Sequence, residues 1–141
     1  MTNPETEALS VVIEREMPYP PEKIWRALTQ PQLIEEWLMK NDFEPVVDHR
    51  FSFRADWGAV DCQVLAVEPN KTLSYTWAAY GVETVVTWTL TPTNTGTHLR
   101  MEQSGFRADQ PQAYQGATYG WQQFFAKLEQ VLSRTDLART D

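Results

Sequence analysis

The stretch Tyr114-Gln115-Gly116-Ala117-Thr118-Tyr119-Gly120-Trp121-Gln122-Gln123-Phe124-Phe125-Ala126-Lys127-Leu128-Glu129-Gln130-Val131-Leu132 decides the fold. Within it Tyr114, Ala117, Trp121, Phe124, Phe125, Leu128, Val131 and Leu132 recur at three- and four-residue steps. That is the repeat of an amphipathic helix, here about twenty residues long. Pro111 suits its first turn, and Asp109 is the expected N-cap. A stripe of this width must be buried against another layer. The rest of the chain offers little but strands to cover it.

Immediately before the helix, Thr97 to Gln103 alternates, with Leu99 and Met101 opposite His98, Arg100 and Glu102. Further back, Thr84, Val86, Trp88 and Leu90 share one face of a β-branched run from Val82 to Leu90. Leu73, Tyr75 and Trp77 alternate with Ser74 and Thr76. Val60 to Val67 and Phe51 to Ala55 complete the series. Pro92 to Gly96 reads as a loop, Glu68-Pro69-Asn70-Lys71 as a turn whose Asn tolerates positive φ, and Asp56-Trp57-Gly58 as another turn. Strands at this spacing favour an antiparallel meander.

At the other end Val11, Ile13 and Met17 mark a strand stopped by Pro18, Pro20 and Pro21. Glu22 to Thr29 is expected as a short helix burying Ile24, Trp25 and Leu28. Pro31 breaks it from a second, Gln32 to Met39, burying Leu33, Ile34, Trp37 and Leu38. The expected fold is α+β: a curved antiparallel sheet of about six strands wrapped around the long helix, with two short helices after the first strand. One domain, residues 10–133, is expected, with a flexible leader over 1–9 and a polar tail over 134–141.

Composition narrows the classes. A formal net charge of −7 over 141 residues, with no basic stripe, argues against nucleic acid and against an anionic membrane surface. No apolar window approaches the length of a membrane span and no signal peptide is visible, so the cytoplasm is the expected location. A lone cysteine, Cys62, allows no intrachain disulfide and no two-cysteine metal site. It alternates with Val60, Val64 and Ala66 and reads as a small buried hydrophobe. Aromatic residues reach 12%, and such bulk must fill a core or line a cavity.

The pieces also resemble a known family. The first strand runs into Pro18-Tyr19-Pro20-Pro21-Glu22-Lys23-Ile24-Trp25, followed by Ala27-Leu28-Thr29-Gln30-Pro31 and Trp37. Phe51-Ser52-Phe53, the Glu68-Pro69 turn, Leu73-Ser74-Tyr75-Thr76-Trp77, Val85 to Leu90, Gly96-Thr97-His98-Leu99 and Gly120-Trp121 come next. In this order they resemble the SRPBCC superfamily, also called START-like or helix-grip proteins. The branch they resemble most is that of the activator of heat-shock-protein-90 ATPase. The family usually has glycines just before the strand at Phe51. Here Asp48-His49-Arg50 stands there, and Asp and His accept positive φ better than most residues. The resemblance implies the helix-grip fold and an interior ligand cavity. For function it implies several alternatives: ligand carriage, stress-related chaperone activation, or cyclase-like and hydrolase-like enzymes.

A straight helix against a curved sheet leaves interior space. The inward-facing residues expected to line it are Trp37, Phe53, Val64, Tyr75, Trp77, Trp88, Met101, Trp121 and Phe124. Gly116 and Gly120, each costing about 1 kcal/mol in a helix interior, mark either tight packing or the cavity wall, with packing preferred. Arg15 shares the alternation of the first strand, so it either meets a ligand carboxylate or phenolate or runs its stem out to solvent. Gln103 aligns with Leu99 and Met101 as a second inward polar group. His49 and His98 assemble no nucleophilic triad and no metal site, and no phosphate loop occurs. No cofactor is expected.

The first expectation is therefore a monomer or homodimer that carries, sequesters or senses a small hydrophobic or aromatic molecule. A chaperone co-factor is one alternative. An enzyme using Arg15, Gln103 or Tyr75 is the other.

Overall fold

The computed structural model describes residues 8–56, 58–79, 81–107 and 109–134. Strand β1 (Ala8–Met17) leads into α1 (Pro21–Thr29) and α2 (Pro31–Trp37). Then come β2 (Lys40–Asn41), β3 (Arg50–Ala55), β4 (Gly58–Glu68), β5 (Thr72–Ala79), β6 (Val82–Pro92), β7 (Thr97–Arg107) and the long helix α3 (Pro111–Leu132). The strands form one seven-stranded sheet, ordered β1-β7-β6-β5-β4-β3-β2, and every neighbouring pair is antiparallel.

Several boundaries differ from expectation. The added strand is β2, whose two residues pair with Phe53 and Arg54 and carry no alternation to read. Ala8 and Leu9 belong to β1 rather than to a leader, because Arg107 and Phe106 extend β7 to meet them. Residues 1–7 and 135–141, the rest of the expected leader and tail, and Trp57 in the expected turn lie outside the described residues. Arg134 is no tail residue: its guanidinium pairs with Glu36 on α2, and its carbonyl accepts from Lys23 Nζ at 3.5 Å. Helix α2 stops at Trp37, short of Met39. Trp25 is only half-buried, while Lys23, Ala27 and Thr29 join Ile24 and Leu28 on the buried side of α1. Asp109 does not cap α3: Gln110 holds that position without a side-chain cap bond, and both Asp109 carboxylate oxygens go to Arg107, at 3.0 and 2.7 Å.

Two bulges aim side chains. In β1–β7 the register jumps between Leu9 and Ser10, opposite Gly105. Gly105 sits at φ +104, a conformation that favours glycine. The extra residue flips the alternation, so Phe106 points to the same side as Gln103, where both are buried. In β4 the register jumps between Val64 and Ala66. Val67 then packs against the core in place of Ala66. Asp48 adopts φ +74 before β3, and Asn70 adopts φ +66 in the turn after β4.

The concave face of the sheet is filled with aromatic rings. Trp88 stands at 5.7 Å from each of Trp37, Trp121 and Phe125. Tyr75 sits among Phe43, Phe51 and Phe53 at 6.2, 5.5 and 5.9 Å. Each fully buried indole N–H finds an acceptor: Trp37 donates to the Ala27 carbonyl at 2.8 Å, Trp88 to the Tyr75 hydroxyl at 3.0 Å, and Trp121 to Gln103 Oε1 at 2.6 Å. These bonds hold the rings in place and avoid the cost of an orphaned buried donor.

Candidate functional site

The helix α3 meets this packed floor unevenly. Trp121, Phe125, Leu128, Val131 and Leu132 are buried in it. Toward the N-terminal end Tyr114 reaches β7, its ring 5.8 Å from that of Phe106, but Ala113, Gly116, Ala117 and Gly120 beside it carry little or no side chain. A Cβ added to Gly116 would meet nothing within 4 Å, and one added to Gly120 would meet only the Phe124 ring, at 4.0 Å. These glycines are therefore not explained by tight packing. They border open space.

That space is an apolar groove between the first half of α3 and strands β5, β6 and β7. Its main lobe has a volume of about 510 Å³, within the usual range for small-molecule sites. Trp77, Ala79, Val82 and Phe106 form its sheet side, and Gln112, Ala113, Gly116 and Ala117 its helix side. A smaller lobe of about 160 Å³ runs on past Gly120 to Met39, Trp121 and Phe124. Trp77 and Gln103 line both lobes. The mouth is bordered by Val82 and by Asp109 to Ala113, where the chain enters the helix. Among the described residues lining the two inner lobes, none carries a charge.

Gln103 is the buried polar group of the lining, and its orientation is dictated. An indole N–H only donates, so the Gln103 carbonyl oxygen must face Trp121. The amide nitrogen then donates to Thr84 Oγ1 at 2.8 Å, and the Thr84 hydroxyl donates onward to the Trp77 carbonyl at 2.9 Å. This chain ties α3, β7, β6 and β5 together around the groove. It also places an amide with two N–H donors at the groove wall, one of them used by Thr84.

The expected lining residues divide into two sets. Trp77, Gln103, Gly116, Gly120, Trp121 and Phe124 border the groove. Trp37, Phe53, Val64, Tyr75, Trp88 and Met101 do not: each is at most 3% exposed and packed inside the core. All point inward, but the rings around them leave no room. Burial also pushes the Tyr75 phenol well above its usual range, opposed by the Trp88 N–H it accepts. The Cys62 thiol is likewise pushed up, by burial first and by Asp61 and Asp42 second. Arg15 is elsewhere. Its guanidinium lies over the Phe125 ring, 5.8 Å from carbon to centroid, and stands 3.9 Å from the Glu129 carboxylate. Of Arg15, Gln103 and Tyr75, only Gln103 reaches the groove. The described residues hold no grouping of histidine, cysteine and carboxylates that would bind a metal ion. No helix among them is long and apolar enough to cross a membrane.

Lining residues that the pattern did not single out are Phe106, hidden by the Gly105 bulge, Ala79 and Val82 beside the β5–β6 hairpin, and Met39, Gln112, Ala113 and Ala117. Ala117 belongs to the helical stripe, which by itself does not tell a groove wall from core.

Residues 18–133 match the family model described as activator of Hsp90 ATPase homolog 1-like protein. Among solved structures, protein MLL2253 from Mesorhizobium loti is 67% identical, with a TM-score of 0.88 over 91% of this chain and 99% of that one. Protein BH1534 from Bacillus halodurans is 26% identical, with a TM-score of 0.78 over 89% and 97%. DynU16, a protein of the dynemicin biosynthetic locus, is 24% identical with a TM-score of 0.81 over 94% of this chain but 50% of its own. That likeness concerns the fold alone. No curated protein matches the sequence.

Proposed function

The chain belongs to the activator of Hsp90 ATPase homolog 1-like family, and from that premise we propose that it binds a small apolar molecule in the groove beneath the first half of α3. One observation carries this reading: Gly116 and Gly120 face open space across from Trp77 and Gln103. Two glycines in a helix interior together cost about 2 kcal/mol relative to alanine. No close backbone contact compensates for that cost. A groove wall kept free of side chains does account for it. The fold itself names no ligand, so the reading rests on the site.

Trp77 and Trp121 report on the groove directly. Titrating naphthalene-sized aromatic molecules should quench tryptophan fluorescence and raise the melting temperature. Gly116→Leu should stay folded, because its side chain enters empty space, and should lose both responses. Silence of the wild-type protein across a broad apolar panel would sink the reading.

The family name supports a second reading, contact with a chaperone ATPase through an outer surface. Calorimetry against purified Hsp90 tests it, and Gly116→Leu should leave that contact intact. Absence of heat at micromolar concentrations would remove it.

A further inference from the structure

We infer that the groove selects an uncharged ligand and excludes carboxylates and other anions. This rests on the binding reading above and deepens it. The two inner lobes present carbon and two neutral amides, the buried Gln103 and the exposed Gln112, and among the described residues no cation lines them. A carboxylate entering would shed its hydration shell and meet no opposite charge. Desolvation without a partner is the costly case, and such a group neutralises or stays out.

Two arginines of the strands that flank α3 are engaged with partners of their own. Arg107 gives its guanidinium to Asp109 at the mouth, and Arg15 lies across Phe125 beside Glu129. The first turn of α3 borders the mouth and carries the partial positive charge of a helix start. That effect fades within a turn, and Pro111 removes one of its N–H donors. Gln112 and Ala113 of that turn line only the outer part of the main lobe, whereas the smaller lobe lies alongside Gly116 to Gly120, beyond its reach. The formal charge of −7 adds a repulsive background for any anion. A cationic ligand would gain from the faces of Trp77 and Trp121 but would find no carboxylate inside to replace lost water. A neutral aromatic ring loses nothing on entry, and an acceptor oxygen on it has the Gln103 amide to meet.

The test uses three probes of one shape: 2-acetylnaphthalene, 2-naphthoate and 2-naphthylmethylammonium. Their affinities at pH 7.5 are read by tryptophan quenching and by calorimetry. The ketone should bind at least about tenfold more tightly than either ion, the consequence of unpaired desolvation. Ala117→Lys puts an ammonium at the groove wall and should raise naphthoate affinity at least about fivefold through a charge pair in a low-dielectric site. Ala113→Lys repeats the measurement from the next turn if the first variant melts early. Either ion binding within about threefold of the ketone, or naphthoate gaining nothing from a correctly folded lysine variant, overturns the inference. Equal binding of all three probes would leave the binding reading standing. If none of them binds, both fall.

Discussion

Between Trp121 and Leu132, α3 is anchored: five of its side chains are buried against the aromatic floor, and Arg15 lies over Phe125 from the first strand. Between Pro111 and Gly120 none is fully buried, no side chain caps the start, and no acidic residue sits in the first turn. Both halves keep the same three- and four-residue repeat. They differ in the size of what the repeat presents: one ring, Tyr114, among Ala113, Gly116, Ala117 and Gly120 in the first half, and Trp121, Phe125 and Leu128 in the second. Period decides which way a helix faces, whereas side-chain volume decides whether it touches. The groove is the volume the first half leaves unfilled.

That contrast can be broken most easily at Phe125. Phe125→Ala should cost about 3–5 kcal/mol in urea unfolding, because a fully packed ring leaves a cavity beneath Trp88. A cost under about 1 kcal/mol would mean the second half is not the anchor. Native-state hydrogen exchange sharpens the same comparison. Amides of residues 114–120 should exchange at least about tenfold faster than those of 124–131, since few buried contacts hold the first half. Equal protection along the helix would erase the distinction. A smaller effect of opposite sign is expected at Gly116. Gly116→Ala should stabilise the protein by about 1 kcal/mol, because its Cβ meets no atom within 4 Å and alanine is the better helix former. Destabilisation there would mean that the backbone of the first half is under a constraint its geometry does not show.

The smallest expected effect concerns pH. On the outer face, His98 on β7 holds Glu16 and, at 2.7 Å, Glu14 on β1, the strand that supports the anchored half through Arg15. These two carboxylates, Glu16 first, raise the imidazole above its ordinary value. A raised folded value means that the contribution is complete below the unfolded pKa and is lost as pH rises through the folded one. Stability should therefore fall slightly as pH rises through the folded value of His98. His98→Gln should remove that step. An NMR titration that placed His98 at or below its unfolded value would contradict the linkage, and probe affinity at the groove should not follow the step.

Much of this was legible from residue order. The alternation in β3 to β7 and the stripe of α3 identified the sheet, the helix and their packing. Positive φ at Asn70 was readable from the Glu68-Pro69-Asn70-Lys71 turn, because asparagine accepts it. What escaped was set by irregularity or by distance. A two-residue β2 has no period. The Gly105 bulge inverts which residues of β7 face inward, so Phe106 was missed. Trp88 and Trp77 are both inward by alternation, yet one is core and the other borders the groove.

The sequence by itself determined which surface of each element turns inward, since that follows from local backbone periods of two and 3.6 residues. Only the tertiary structure decided where those inward surfaces meet and where they stay apart. That separation depends on the volumes of rings brought together from distant parts of the chain, and no local repeat encodes it.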